Sequence, residues 1–512
     1  MFKKIAKNTT ILGLGTLFSR VLGLIRDVLI AKYFGTSSLL EVFIVSFRIP
    51  NLLRAFLGEG FSDSIATPYL SAHTKNKKRI EELGNNLISI FLFVLTVVTL
   101  GGIFFSRYIV MLVAPGFVSD SYKFNLAVSF LRITFFYILF MGIAANLKSM
   151  LYALRKFTPA SFVPSLLNIS FIIGILFLRG IFNNFVLVVS VVTAGLLQVV
   201  SYYLLLNREK IRIKFTPQDA FKDREIKLMF KSSLPRMWSS VVYQLNVLVD
   251  TIFSSLSFIV GSGALAAIYY ANRIVQFPLA LIALSISRVA IVDFSQFHRE
   301  GRRDDFKKLF IFSFRNLMFF IIPISIVIMF IPKEIIKALF LRGEFSTYSL
   351  RITANTLFFY SFGLFFFCGI KLLVNVFYSL KDTLTPAKVS TLSLLVNAVL
   401  SAVFMFPLKV GGIALASSIA AALNFFLLLG ILRRRIGFFE DYVFYVDLFK
   451  LILVGVILGV VSRLIFFLNF NVIVELLLAG VIDVILLFVI ADIIRLRQSD
   501  FIKVWIRKLG RK

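Results

Sequence analysis

The chain is poor in the residues from which most catalytic and metal centres are built. It has a single cysteine, Cys368, and two histidines, His73 and His298, among 512 residues. One cysteine cannot form an internal disulfide, and these three scattered residues do not make a Cys/His zinc site. There is no Gly-rich phosphate loop and no nucleophile elbow. ATP is therefore excluded as the fuel, and the chain is expected not to be an enzyme. Cys368 sits in an apolar stretch and reads as a packing residue. Acids are also scarce, with 26 Asp and Glu against 56 Lys and Arg, for a formal charge of +30. These cations fall in short clusters between apolar segments, not along one face or tail, which argues against a nucleic-acid partner.

Apolar surface is abundant. Hydrophobic residues make up 59% of the chain, against roughly 45–50% in soluble domains. Stretches such as 87–105, 159–178, 309–330 and 451–468 carry at most one charge each. Runs of about 18 residues or more are long enough to cross a bilayer as helix. Spans are expected near 9–32, 38–72, 86–113, 124–147, 159–178, 183–206, 229–256, 262–287, 309–331, 350–378, 386–406, 411–432, 449–468 and 471–494. The fold class is an all-α polytopic membrane protein of about fourteen transmembrane helices. An even number puts both termini on one side. Lys and Arg concentrate on that side, which the positive-inside rule makes cytoplasmic. The basic start is followed by Arg20, Arg26 and Asp27 with no small-residue cleavage pattern, so a removable signal peptide is not expected.

Several features recur at nearly one offset. Asp27 and Asp250 are 223 residues apart, and Arg48 before Pro50 is matched by Arg273 before Pro278 at 225. Tyr152-Ala-Leu-Arg before Thr158-Pro159 is echoed by Tyr378-Ser-Leu-Lys before Thr385-Pro386, at 226 to 227. Two six-helix lobes related by a pseudo-twofold along the membrane normal follow, with a cavity expected between them. The expected domains are an N-lobe over 1–206, a cytoplasmic amphipathic linker over 207–228, a C-lobe over 229–437, and two extra helices with a basic tail over 438–512. The tail carries 7 basic residues beside Phe501, Val504, Trp505 and Ile506. It reads as an anchor for anionic headgroups.

An ionisable side chain at membrane depth costs at least about 2.5–3.5 kcal/mol on insertion scales, so each needs a partner or a wet cavity. Here they gather in the first, second and eighth spans. Arg20 and Asp27 are seven residues apart, about 20° apart around a helix. Glu41 and Arg48 repeat the spacing, and Arg54 and Glu59 follow. One reading makes these self-neutralising pairs that hold helices together. Against it, Arg26, Arg54 and Arg273 have no acidic partner at helical spacing. A net cationic cavity suits a polyanion, because guanidinium forks bind phosphate oxygens bidentately and stay charged. A pyrophosphate-bearing ligand is the natural candidate. Pro50 and neighbouring glycines punctuate the same spans and suggest hinges. Arg48 and the intramembrane Lys371 join Pro50 and Glu59 as structural or gating candidates.

Ser19-Arg20-Val21-Leu22-Gly23, Arg26-Asp27, Phe34-Gly35, Pro50-Asn51-Leu52-Leu53-Arg54 and Glu59-Gly60 resemble the MurJ (MviN) family of lipid II flippases, within the superfamily of multidrug and polysaccharide-lipid exporters. Ala114-Pro115-Gly116-Phe117, Leu166-Leu167-Asn168-Ile169-Ser170 and Phe377-Tyr378-Ser379 extend the resemblance through the twelfth span. It implies transport of lipid II, the undecaprenyl-pyrophosphate-linked peptidoglycan precursor, from the inner to the outer leaflet of a bacterial cytoplasmic membrane by alternating access. The last two helices would form a groove for the lipid tail. Substrate-binding residues would be Arg20, Arg26, Asp27, Glu41, Arg54 and Arg273, with Glu59 near a hinge. Glu41 stands where many members have Asp. Asn272 and Gln276 stand where many have acids beside the equivalent of Arg273. The segment 286–297 departs from the family pattern.

Some relatives bind sodium, and here Asp250, Asn397, Ser401 and Ser417 offer hard oxygen ligands for a coupling cation, Na+ or H+. A buried neutral carboxyl is the alternative for Asp250. The expected partners are lipid II and membrane lipids, with cell-wall synthesis machinery a candidate and the chain acting as a monomer. A related exporter of another polyprenyl-linked glycan is the near rival. A membrane glycosyltransferase is the distant one, disfavoured because the longest outer loop, 331–349, is short.

Overall fold

The computed structural model describes residues 2–56, 61–62, 65–437, 442–468 and 470–496. Glu59 and all but the first two residues of the basic tail 495–512 lie outside the described residues. All regular structure among the described residues is helical. Ten helices among the described residues are long and apolar enough to cross a membrane, and one of them, Phe157–Arg208, holds two expected spans in its 52 residues. Phe2–Phe34, Ser38–Ala55 and Arg224–Ser254 supply the remaining helical segments where the charged first, second and seventh spans were expected.

The Val472–Ile493 helix shows how such a span is specified. Asn471 caps it by accepting from the Ile473 amide at 2.9 Å, and Glu475 in its first turn accepts from the Phe470 amide at 2.8 Å. Only Glu475, Ala479, Leu487 and Ala491 are buried along it. Apart from Asp483 and Asp492 the rest is apolar exterior, as are Phe104 and Phe177, 76% and 74% exposed. An outer surface this apolar has lipid, not water, as its solvent.

Two compact units divide the chain at Leu256 and Ser257. In the first, Ser121–Ala153 packs against Ser38–Ala55, Lys77–Phe104 and Val186–Arg208. In the second, Thr347–Ser379 takes the same place against Ala264–Pro278, Arg303–Phe330 and Val410–Ile436. Lys77–Phe104 and Arg303–Phe330 share both bounds at an offset of 226 residues, as do Ser121–Ala153 and Thr347–Ser379. Backbone detail repeats at the same offset. Positive φ recurs at Gly35 and Gly261, Arg155 and Lys381, and Asn183 and Lys409. The ion pair Lys156–Glu209 at 2.7 Å reappears with reversed charges as Asp382–Arg435 at 2.6 Å.

This register refines two of the sequence matches. Arg48 and Arg273 are one residue out of step. Asp27 and Asp250 are three out, and the second copy breaks its helix at Ser255 and Leu256, where the first runs on to Phe34.

The second and eighth spans are not continuous α-helix. Phe56, Phe61, Ser62, Ile65 and Ala66 have π-helical geometry after the buried Pro50, and Leu279–Ala283 are π-helical directly after Pro278. A π-turn is an insertion in the hydrogen-bond ladder and a common functional bend. The linker is stitched to the Lys77–Phe104 helix. Asn85 donates to the Arg212 carbonyl at 3.0 Å, and the Thr216 amide donates to Ser89 Oγ at 2.8 Å. Ile211 and Ile226 are buried beneath it.

Candidate functional site

Arg26 lies in the last third of the first helix and is only 8% exposed. Its Nε and Nη2 donate to Asp27 Oδ1 at 3.0 and 2.8 Å, and Nη1 donates to Asn168 Oδ1 at 2.9 Å. Asn168 is oriented in turn by donating to the Ser19 carbonyl at 2.8 Å. The guanidinium carbon stands 5.5 Å from the Phe171 ring centroid. Arg26 therefore does have an acidic partner, its immediate neighbour, contrary to the sequence expectation. Successive helical residues point about 100° apart, and only the long arginine arm lets them meet. Three of the five guanidinium N–H groups are used, which leaves two for a ligand.

Phe171 meets Phe43 edge-on at 5.8 Å, Phe43 stacks on Phe47, and Phe47 lies 5.4 Å from Tyr137. This aromatic ladder ties the Arg26 cluster to the second helix. Arg54 is half-buried, its Nε held by Asn51 Oδ1 at 3.0 Å.

Glu41 is 2% exposed, and its Oε2 accepts from Lys123 Nζ at 2.6 Å. Lys123 also sits 4.3 Å from the Phe117 ring centroid. Arg20 is exposed on the first helix, and Arg48 is half-buried on the second. Lys123, Asn168 and Tyr137 were not picked out from the sequence. Asn168 did carry a signal, an amide inside an otherwise apolar run.

In the second unit, Arg273 Nη2 donates to Tyr269 Oη at 3.4 Å, with its guanidinium carbon 4.8 Å from that ring centroid. On either side, Gln276 Nε2 donates to Asn272 Oδ1 at 2.6 Å. These two amides are thus engaged with each other. Lys371 is half-buried in the Thr347–Ser379 helix, three residues from the fully buried Cys368.

Asn397, Ser401 and Ser417 converge. Asn397 Oδ1 accepts from Ser401 Oγ at 3.5 Å and from Ser417 Oγ at 3.3 Å. These are uncharged hard oxygens, the donor type a sodium ion takes. Asp250 belongs to the first unit, is 8% exposed, and accepts at its carbonyl from Ser254 Oγ. No group of three or more His, Cys, Asp or Glu able to hold a metal occurs among the described residues.

A family model described as lipid II flippase MurJ matches residues 30–481. A protein of Buchnera aphidicola subsp. Schizaphis graminum, named probable lipid II flippase MurJ, is 34% identical over 457 residues, 88% of either chain. A solved structure titled lipid II flippase MurJ, inward closed conformation, superposes with a TM-score of 0.79 at 26% identity, over 95% of this chain and 98% of that one. A multidrug resistance transporter of the MATE family, inward-facing, superposes with a TM-score of 0.65 at 15% identity over 82% and 94%, a likeness of fold.

Proposed function

Because the chain belongs to the MurJ family of lipid II flippases, we propose that its buried arginines bind the pyrophosphate of lipid II and that binding drives the exchange between inward- and outward-facing states. It is a multi-pass membrane protein whose cargo is lipid II. The observation that carries the site reading is the Arg26 cluster, a guanidinium oriented by Asp27 and Asn168 with two N–H groups to spare. Arg54 and Arg273 supply further forks. Arg20, Asp27 and Glu41 set the local charge, and Glu59 acts beside the bend of the second span. Before cargo arrives, excess positive charge holds the inward-facing state open, and the phosphates neutralise it. Pro50 and Pro278, each followed by π-helical geometry, are where the second and eighth spans flex, with Arg48 and Lys371 gating.

In this reading the first lobe ends at 206, the linker spans 207–228, the second lobe spans 229–437, and the lipid tail rides the two helices within 438–512. The membrane is the bacterial cytoplasmic membrane, with both termini inside. The chain is a monomeric carrier and not an enzyme, and cell-wall synthesis proteins receive its product. ATP plays no part. Asn397, Ser401 and Ser417 with Asp250 would hold a coupling Na+ or H+, and such an ion would supply a gradient to the transport step. The membrane potential adds about 2.3 kcal/mol per charge per 100 mV to any step that moves net charge. Arg54→Ala and Arg273→Ala, reconstituted in vesicles, are expected to lose lipid II transfer while remaining folded. Full activity in either refutes its place in the site.

A further inference from the structure

The outer loops of a membrane protein are the wrong place for clustered cations, yet the second unit gathers three around one cavity. Under the orientation proposed above, on which only the word outer depends, the loops 257–263, 331–346 and 409 lie at the extracytoplasmic end. They surround a cavity of about 840 Å³ whose lining includes Lys333, Arg351, Lys409, Asn355, Tyr348 and Phe358. No acid lines it. Glu334, beside Lys333, is turned away into a pair with Arg463. None of the three cations makes an ion pair among the described residues.

Each cation also sits at or near the start of a helix. Lys333 is in the first turn of Pro332–Phe340, Arg351 in the second turn of Thr347–Ser379, and Lys409 at the cap of Val410–Ile436. Helix N-termini carry partial positive charge and favour anions, so a cation there is disfavoured by about 0.3–1 kcal/mol. Neither Pro332–Phe340 nor Val410–Ile436 has a side-chain cap on its first amides. Three like charges and two uncapped helix starts facing one cavity are relieved together by a single anion.

At two of the three positions the repeat carries a neutral residue, so the fold does not require a cation there. At an offset of 226, Lys333, Arg351 and Lys409 correspond to Arg107, Asn125 and Asn183. Asn183 has nearly the same backbone as Lys409, φ 45° and ψ −120° against φ 55° and ψ −136°. Asparagine and lysine both adopt this positive-φ backbone here, so the turn itself does not impose the charge at 409. The walls are amphiphilic. Phe258 is 72% exposed beside the cavity, and Tyr348 is anchored by donating to the Ser262 carbonyl at 3.0 Å.

The geometry points to a second anion site, formed by Lys333, Arg351 and Lys409, that binds the phosphate-bearing headgroup of a membrane amphiphile at the outer face. Two headgroups share that chemistry, the pyrophosphate of a polyprenyl lipid and the phosphate of an anionic phospholipid.

The test is equilibrium binding to the purified full-length chain. Undecaprenyl pyrophosphate is used in one arm and phosphatidylglycerol in the other, with phosphatidylcholine as the zwitterionic reference. The triple variant K333Q/R351Q/K409N is expected to lose about tenfold or more in affinity for at least one anionic lipid, with phosphatidylcholine unchanged. Loss confined to the first arm identifies a cargo-type headgroup, and loss in the second a phospholipid. Unchanged affinity in both arms overturns the proposal. Lys409→Asn alone copies the residue and backbone of the first unit, so it keeps the fold, and a severalfold loss is expected from it. Repeating the binding in Arg26→Ala/Arg273→Ala separates the two readings. The inner-site reading fails if those substitutions leave pyrophosphate binding intact, whereas this one fails only if the outer variants do.

Discussion

Replacing Arg26 by alanine has two consequences that a second substitution can separate. The guanidinium is a ligand group, and it is also the ion-pair partner of Asp27, which is 4% exposed. Taking one partner from a buried pair costs about 3–5 kcal/mol, mostly because the other charge stays in a low dielectric. Arg26→Ala is therefore expected to destabilise the protein by about 3 kcal/mol, the lower end of that range, since Asp27 keeps an interaction besides Arg26. Adding Asp27→Asn removes the stranded charge, so the double variant should regain most of that stability. Transport should not follow. Two vacant N–H groups that each make a charge-assisted bond to phosphate, at about 1.5–3 kcal/mol apiece, are missing in both variants. Transfer should be slower by roughly a hundredfold or more, at 1.4 kcal/mol per decade. The assays are thermal unfolding in detergent and transfer of labelled lipid II across vesicle bilayers. If the double variant recovers transport along with stability, Arg26 serves only to neutralise Asp27 and the ligand role is wrong.

Three further outcomes follow from other parts of the molecule. A Cβ on Gly412 would stand 2.1 Å from the Phe404 carbonyl oxygen in the tight turn through Lys409, so Gly412→Ala should lower stability by about 1–3 kcal/mol, read as a reduced unfolding midpoint. Asp382 lies outside the spans, and burial raises its pKa. Hydrogen bonds from the Thr385 hydroxyl and amide and from Arg435 outweigh that and hold it below the ordinary carboxylate value. Its stabilisation is present at neutral pH, begins to fall away near pH of about 4 and is lost as pH drops through the folded-state pKa, so Asp382→Asn, which weakens the pair with the partly exposed Arg435, should cost about 0.2–1 kcal/mol at pH 7 and nothing in acid. If Asp250 anchors a coupling cation, Asp250→Asn should abolish any sodium dependence of transport, and sodium-independent transport that survives the substitution sinks that role.

The spans were legible because bilayer thickness imposes a length and a composition on every crossing segment, and the repeat because one backbone was copied. Residues such as Tyr152 and Tyr378 kept the register of 226, whereas Asp27 and Asp250 drifted from it across the helix break at Ser255. Partnerships were less legible. Arg26 meets Asn168 from 142 residues away and Glu41 meets Lys123 from 82, and helical spacing carries no information about such contacts. The neighbour pair Arg26 and Asp27 was passed over for the opposite reason, because adjacent helical positions do not ordinarily face each other. Lys333, Arg351 and Lys409 stand in three separate segments and read one at a time as scattered surface charges.

Transfer of lipid II by the purified chain alone tests the central claim most directly. Vesicles carrying the protein and lipid II in both leaflets are probed with a membrane-impermeant reagent that modifies only the outer pool. The account predicts that the protected inner pool becomes accessible over time with the intact chain, and that Arg54→Ala/Arg273→Ala vesicles behave like protein-free ones. An inner pool that stays protected in the presence of folded wild-type protein, while another polyprenyl-linked glycan crosses, would contradict it.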